Sequence, residues 1–232
     1  LSVGESRDVV VTVRAEDGHG ATVDSTVTIT VSGTNDAPTM AVGTAMAAED
    51  GAAVDVDLSL LGADLDSEDD GSSLTYTITG TPVAEGSASI AAGSTTLTFT
   101  PGMAFQDLAL NETRDVVVNV TATDARGASA SADVTITVTG TNDAPTLTAS
   151  LGAADEDGAA FTVDLATLAD DIDSDDTAAS LSYSVVGLVP DEGTASILPE
   201  SSTLSFTAGS DFDDLSVGES RDVVVTVRAE DG

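Results

Sequence analysis

The sequence predicts an all-β protein made of tandem sandwich modules, and two observations carry that prediction. The first is an internal repeat. Residues 1–18 recur identically as 215–232, with a diverged copy at 108–124, so the offset is 107 residues each time. The second is that branched apolar residues alternate with Thr, Asn or Asp over the longest apolar stretches. A period of two is typical of half-buried strands, and helical periodicity is weak throughout.

The module boundary is predicted at an Asn-Asp-Ala-Pro motif, which occurs within 33–39 and again within 140–146. Its prolines, Pro38 and Pro145, favour an extended residue before them. The repeat then divides the chain into three pieces. These are 1–38, the C-terminal part of one module; 39–145, a complete module; and 146–232, a module without its last strand.

Each complete module is expected to contain about seven short strands. In residues 39–145 the alternation predicts strands at 74–78, 87–90, 96–99, 115–124 and 132–139. Clusters of Gly, Pro, Asp and Ser separate these stretches. About seven strands in roughly 100 residues is the count of an immunoglobulin-like sandwich.

The composition excludes several classes of partner. The chain has 41 acidic and 6 basic residues, a formal net charge of −35, which rules out nucleic acid and argues against direct contact with a membrane surface. No apolar run is long enough to span a bilayer. Without cysteine there are no disulfides and no thiolate zinc sites. So much negative charge opposes compaction unless cations are bound or the charges are spread along an elongated body.

The carboxylates concentrate in loops and linkers at recurring places. Clusters occur at Glu49–Asp50 and Asp64–Asp70, with further acids at Asp107, Asp124 and in the Asn-Asp linker. Calcium binds about six to eight oxygen ligands, and Asp, Asn and backbone carbonyls of loops supply them. The EF-hand pattern does not fit, because a loop that starts at Asp64 has Asp at position 6 where glycine is required.

Four motifs in order resemble a cadherin repeat: Glu49-Asp-Gly, Asp64-x-Asp66, the strand that ends at Asp124, and the strand that leads into Asn142-Asp143-Ala-Pro145. The residues of these motifs resemble even more closely the bacterial VCBS and cadherin-like repeats of giant secreted RTX-type adhesins. That resemblance implies calcium at the module junctions, an extended fibre and type I secretion to the surface of a Gram-negative cell, where such proteins serve adhesion and biofilm formation.

The resemblance also implies two sets of calcium ligands. At the junction between the second and third modules they are Glu49, Asp107, Asn142, Asp143, Asp171, Asp173 and Asp231. At the junction between the first and second modules they are Asn35, Asp36, Asp64, Asp66 and Asp124. Numbered by junction along the chain, the set that contains Asn35 is the first and the set that contains Glu49 is the second. The six carboxylates of the second set carry a charge that up to three Ca²⁺ would neutralise. Two readings stay open for Asp69, Asp70, Asp175 and Asp176, which are either solvated flanks or additional ligands.

The function favoured by these features is structural, as an extender region of a cell-surface adhesin stiffened by calcium. The alternative is a binding module, either carbohydrate-binding or homophilic, but two tyrosines, five phenylalanines and no tryptophan offer little for an aromatic sugar platform. An enzyme is not expected, because no nucleophile and base combination or phosphate-binding loop is present.

The partners expected are neighbouring modules of the same chain. A further expectation concerns self-association. The third module lacks its final strand, and a copy of that strand lies in 21–34. An unpaired sheet edge and a matching strand at opposite ends of a chain favour head-to-tail addition between molecules.

Overall fold

The structure is a computed structural model of the chain and describes residues 1–80, 85–189 and 192–232. The all-β prediction is confirmed. These residues form strands and four single-turn 3-10 helices, at Leu58–Leu60, Gly102–Phe105, Leu165–Thr167 and Gly209–Phe212, and they contain no α-helix.

Eighteen strands follow one another along the described residues. Through residue 139 they are β1 (Ser6–Glu16), β2 (Thr22–Ser32), β3 (Thr39–Met40), β4 (Gly43–Ala48), β5 (Val54–Asp57), β6 (Gly62–Ala63), β7 (Thr75–Gly80), β8 (Ser87–Ile90), β9 (Thr96–Thr100), β10 (Thr113–Thr123) and β11 (Ser129–Thr139). Beyond it they are β12 (Thr146–Leu147), β13 (Phe161–Asp164), β14 (Ala169–Asp170), β15 (Ser182–Leu188), β16 (Thr194–Ile197), β17 (Thr203–Thr207) and β18 (Val225–Glu230). Each of the five stretches predicted as a strand overlaps an observed strand.

The chain divides into two compact units. Unit 1 comprises Leu1–Ala104 and Arg114–Val138, and unit 2 comprises Phe105–Thr113 and Thr139–Gly232. The division into modules 1–38, 39–145 and 146–232 is based on the sequence repeat alone, and it stays a prediction.

The core of unit 1 lies in a β-sandwich. One sheet has the strand order β4-β11-β10-β7 and the other the order β5-β9-β8. Alternate residues of β9, β10 and β11 point inward and are almost fully buried. Among them are Leu97, Phe99, Val118, Val120 and Ile136, each at most 1% exposed. The period of two in the sequence is therefore the period of burial.

The hairpin β1–β2 of unit 1 differs from this sandwich. Its two strands pair antiparallel in unbroken register from Ser6 opposite Ser32 to Glu16 opposite Thr22. Every residue of both strands is exposed. The hairpin therefore satisfies its internal backbone hydrogen bonds without contributing to a core.

Unit 2 contains a three-stranded sheet in the order β13-β17-β16 and the pair β15-β18. Its core is smaller, with Leu165, Leu204 and Phe212 between 2% and 7% exposed. At the offset of 107 residues, the counterparts of β4 and of the first part of β10 are 150–155 and 220–224. Neither segment is a strand in unit 2.

Candidate metal centres

The linker that follows β2 carries Asn35 and Asp36, two residues of the first predicted set, and three hydrogen bonds of unit 1 organise that set. The Asn35 side-chain amide donates to Asp124 Oδ2 at 2.9 Å. The backbone N–H of Asp36 donates to Asp66 Oδ2 at 3.0 Å. The backbone N–H of Asp66 donates to Asp64 Oδ1 at 2.9 Å. All five residues predicted for this set are thus linked into one group, which we call centre 1.

The same three hydrogen bonds recur in unit 2. Asn142 donates to Asp231 Oδ2 at 3.1 Å, Asp143 N–H to Asp173 Oδ2 at 3.0 Å, and Asp173 N–H to Asp171 Oδ1 at 3.0 Å. We call this group centre 2. Because each bond has its counterpart 107 residues earlier, the repeated sequence motif corresponds to a repeated local geometry.

Several oxygens of both centres are buried and accept no hydrogen bond from the described residues. In centre 1 they are Asn35 Oδ1, Asp64 Oδ2 and Asp66 Oδ1, and in centre 2 Asp143 Oδ2 and Asp171 Oδ2. Asp66 is only 3% exposed. A buried carboxylate oxygen without a donor is costly, so these atoms fit a ligand that brings positive charge. Oxygen donors of this kind suit Ca²⁺.

Asp107 lies beside centre 2. Its backbone carbonyl accepts a hydrogen bond from the N–H of Ser174 at 2.9 Å, and Ser174 follows Asp173 directly. The Ser174 hydroxyl bonds Glu112 Oε2 at 2.5 Å. Two contacts therefore attach the loop that carries Asp171 and Asp173 to residues 107–112 of the same unit.

Glu49, the remaining residue of the second predicted set, belongs to unit 1 and is 4% exposed. Its assignment to centre 2 stays a prediction. Its counterpart in the repeat, Glu156, has a buried Oε2 that no described residue hydrogen-bonds. Glu156 is not among the ligands predicted from the sequence, although its 107-residue offset from Glu49 is a sufficient signal for it.

The electrostatics of Asp124 favour its charged form. The hydrogen bond from Asn35, together with the backbone N–H groups of Arg126 and Ala128 at 2.8 and 2.9 Å, lowers the pKa of Asp124 below its usual range. The carboxylate therefore stays ionised at neutral pH, as a metal ligand must.

The sequence did not decide whether Asp69 and Asp70 are additional ligands or solvated flanks, and in the structure the two residues have different roles. Asp70 Oδ1 accepts from the backbone N–H groups of Ser72 and Ser73 and from the Ser72 hydroxyl, so it stabilises a turn. Asp69 has one buried oxygen, Oδ2, that receives no hydrogen bond from the described part of the chain. Asp69 is therefore the better additional ligand of the two.

Within the described ranges, no three acidic or histidine side chains form a group that could already hold a metal ion. Each centre instead combines aspartates with one asparagine. A cation would have to draw these oxygens together from the positions described above.

The chain is similar to known sandwich domains. Residues 35–137 match the family described as Bacterial Ig domain (Big_9). Among solved structures it resembles the protocadherin gammaB7 EC3-6 cis-dimer structure, with a TM-score of 0.53 and 18% identity over 99% of this chain and 55% of that chain. It also resembles PcdhgB3 EC1-4, with a TM-score of 0.54 and 14% identity over 97% and 63% of the two chains. For protocadherin gamma C5 EC1-3 the TM-score is 0.52, with 18% identity over 90% and 68%.

These likenesses support a cadherin-like and immunoglobulin-like repeat, as the sequence predicts. At such identities they establish the fold alone, and the chain spans just over half the length of the gammaB7 structure. The comparison with curated proteins gave no match. In the described residues, no helix has the length and apolar character needed to cross a membrane.

Proposed function

We propose that this chain is a structural extender region of a large bacterial cell-surface adhesin, and that calcium at the module junctions makes it rigid. The observation that carries the proposal is the duplicated acidic centre, in which buried oxygens such as Asp66 Oδ1 and Asp171 Oδ2 receive no hydrogen bond from the described residues. The sandwich fold and the match of residues 35–137 to a bacterial immunoglobulin-like family support the same function. Its role would be mechanical rather than catalytic.

Calcium has a clear physical task in this proposal. A net charge of −35 on a 23.0 kDa chain opposes folding through self-repulsion. Binding at each centre would neutralise carboxylates. It would also fix the linker with its Asn-Asp pair to the Asp-x-Asp loop and to the turn after the neighbouring strand, both of which the linker contacts. Up to three ions would neutralise the six carboxylates of the second predicted set.

The setting we propose is extracellular, at the surface of a Gram-negative bacterium, within the VCBS and RTX-type adhesins. Low calcium in the cytoplasm would keep the chain unfolded and suited to type I secretion, and external calcium would then fold it. The absence of cysteine supports this route, since no oxidation step is required. Adhesion and biofilm formation are the processes such a region would serve.

Thermal melting in chelator and in millimolar calcium tests the proposal. A ligand that binds only the folded state at 100 times its Kd stabilises by about 2.7 kcal/mol per site, so we expect the Tm to rise by more than about 10 °C. Asp66→Asn should reduce that rise, because it replaces a nearly fully buried carboxylate of centre 1.

Asp222→Asn is the matched control. It removes the same charge from an exposed residue outside both centres and should leave the calcium effect intact. A melting curve that calcium does not change would contradict the proposed function.

A homophilic contact is the second function that a specific observation favours. Val9, Val11, Val27 and Ile29 of the hairpin are 41–51% exposed, yet their repeat counterparts in β10 and β11 are fully buried in a sandwich. We propose that the hairpin of one copy of residues 1–232 completes unit 2 of another, head to tail. Light scattering in calcium should then show concentration-dependent oligomers, and a monodisperse monomer at all concentrations would refute this contact.

A further inference from the structure

Arg126 connects two parts of centre 1. It lies in the turn between β10 and β11, where its backbone N–H donates to Asp124 Oδ1 at 2.8 Å. Its guanidinium Nη1 forms an ion pair with Glu68 Oε1, and its side chain is 32% exposed. Glu68 is two residues after Asp66, so a single side chain links the Asp124 turn to the loop that carries Asp64 and Asp66.

The surroundings of this guanidinium are acidic. Its pKa is raised, first by the hydrogen bond to Glu68 and then by the charges of Glu68, Asp66 and Asp69. A surface cleft of about 380 Å³ is lined by Glu68, Asp69, Ala125 and Arg126. Among the nearby acids, Asp66 is only 3% exposed, and its Oδ1 receives no hydrogen bond from the described residues.

Three other ion pairs of the described residues are local. Arg14 pairs with Asp24 across the β1–β2 hairpin, Arg221 with Asp214, and Arg228 with Glu230. None of these acids lies in the loop that carries Asp64 and Asp66. The ion pair of Arg126, in contrast, reaches the loop that carries two aspartates of centre 1.

We propose that Arg126 is a built-in counter-ion of centre 1, which holds the acidic loop in place without calcium and opposes calcium when it binds. This inference rests on the proposed calcium function and adds a residue that sets the affinity of one centre. The physical reason is simple. A positive side chain offsets repulsion among Asp66, Glu68 and Asp69 in the empty centre, but it repels a divalent cation that enters the same group.

Two opposite effects of one substitution test the proposal. In the full 232-residue chain, Arg126→Gln should lower the Tm in chelator, because the acidic loop loses its counter-ion. The same variant should bind calcium roughly tenfold more tightly at one class of sites, because one repulsive charge is gone. Calorimetric titration with Ca²⁺ at fixed ionic strength measures the affinity.

Two control variants separate charge from position. Arg126→Lys keeps the positive charge without the planar guanidinium, so its calcium affinity should stay close to that of the parent. Arg14→Gln makes the same charge change on the hairpin, where the recorded partner is Asp24, and should change the affinity less than twofold.

The outcomes are distinct. If Arg126→Gln binds calcium more weakly than the parent or equally well, Arg126 is a positioning residue or a bystander, and the counter-ion proposal is wrong. If the parent itself binds no calcium, the proposed function fails first. The counter-ion role is supported if Arg126→Gln binds calcium more tightly than the parent and has a lower Tm without calcium, while Arg126→Lys shows neither change.

Discussion

The hairpins β1–β2 and β10–β11 have closely related sequences and different environments. Val11 and Ile29 of the first hairpin are 41% and 51% exposed, whereas their counterparts 107 residues later, Val118 and Ile136, are fully buried. Both hairpins form strands of 11 residues. Strand formation therefore follows from the alternating pattern and the turn, while burial requires an opposing sheet. Within the described residues, β10–β11 has this sheet in β5-β9-β8, and β1–β2 pairs only with itself.

In unit 2, two segments that correspond to strands of unit 1 are not strands. In unit 1, β10 pairs with β7 only over Asn119–Thr123, and β4 has β11 as its one neighbour in the sheet. Among the described residues of unit 2, no strand pairs with 150–155 or 220–224, and neither segment is a strand. The corresponding part that pairs with β15, Val225–Glu230, remains a strand. Backbone segments thus keep strand conformation only where a partner satisfies their hydrogen bonds.

Adding a strand that corresponds to β11 to the 232-residue chain should produce the largest effect. A copy of residues 126–145 appended after Gly232 should pair with 220–224 and order 150–155. Burial of its three branched apolar residues should stabilise unit 2 by about 4 kcal/mol, after the entropy of ordering is subtracted. Hydrogen exchange should then show protection of the amides of 220–224 increased by about 1,000-fold. The same extension with those three apolar residues replaced by serine is the control, and equal protection from both extensions would contradict the pairing argument.

Truncating one isoleucine in each hairpin should give the next largest difference. Ile136→Ala should destabilise unit 1 by about 3 kcal/mol, because it leaves a cavity beside fully buried neighbours. Ile29→Ala should change stability by less than about 0.5 kcal/mol, because the side chain is half exposed. Urea unfolding followed by circular dichroism measures both. Similar losses for the two variants would mean that the hairpin is buried in solution.

The two hairpin turns should differ slightly in their acid titration. Asp17 accepts backbone N–H groups from Ala21 and His19, and Asp124 accepts the equivalent bonds plus one from Asn35; in both, hydrogen bonding lowers the pKa. Each carboxylate therefore contributes stability that is present above its unfolded pKa and lost as the pH falls through its folded pKa. Asn35→Ala should raise the pKa of Asp124 and leave that of Asp17 unchanged, as followed by NMR of the carboxyl carbons without calcium. A parallel change at both aspartates would show that Asn35 does not act locally.

Much of the candidate site could be predicted because its parts repeat. The Asn-Asp linker, the Asp-x-Asp loop and the aspartate after β10 recur at a fixed offset, and each set forms the same three hydrogen bonds. The roles of individual acids within a run could not be predicted. Asp69 and Asp70 are adjacent and chemically identical, and only the positions of Ser72 and Ser73 make Asp70 the turn residue. The ion pair of Arg126 with Glu68 joins residues 58 positions apart, and no local pattern indicates it.

The sequence by itself determined the fold class, the segments able to form strands and the repeated acidic motifs, because alternation, turn residues and repetition are local properties. The tertiary structure decided which strands are buried and which segments remain unpaired. The identical residues 1–18 and 215–232 show this directly: Ser6–Glu16 is a continuous strand, whereas in the second copy only Val225–Glu230 is one. The two copies differ in strand length because β1 pairs along its full length with β2, whereas the partner of β18 is β15, which is shorter than β2. Backbone hydrogen bonding in a strand requires a partner at every position.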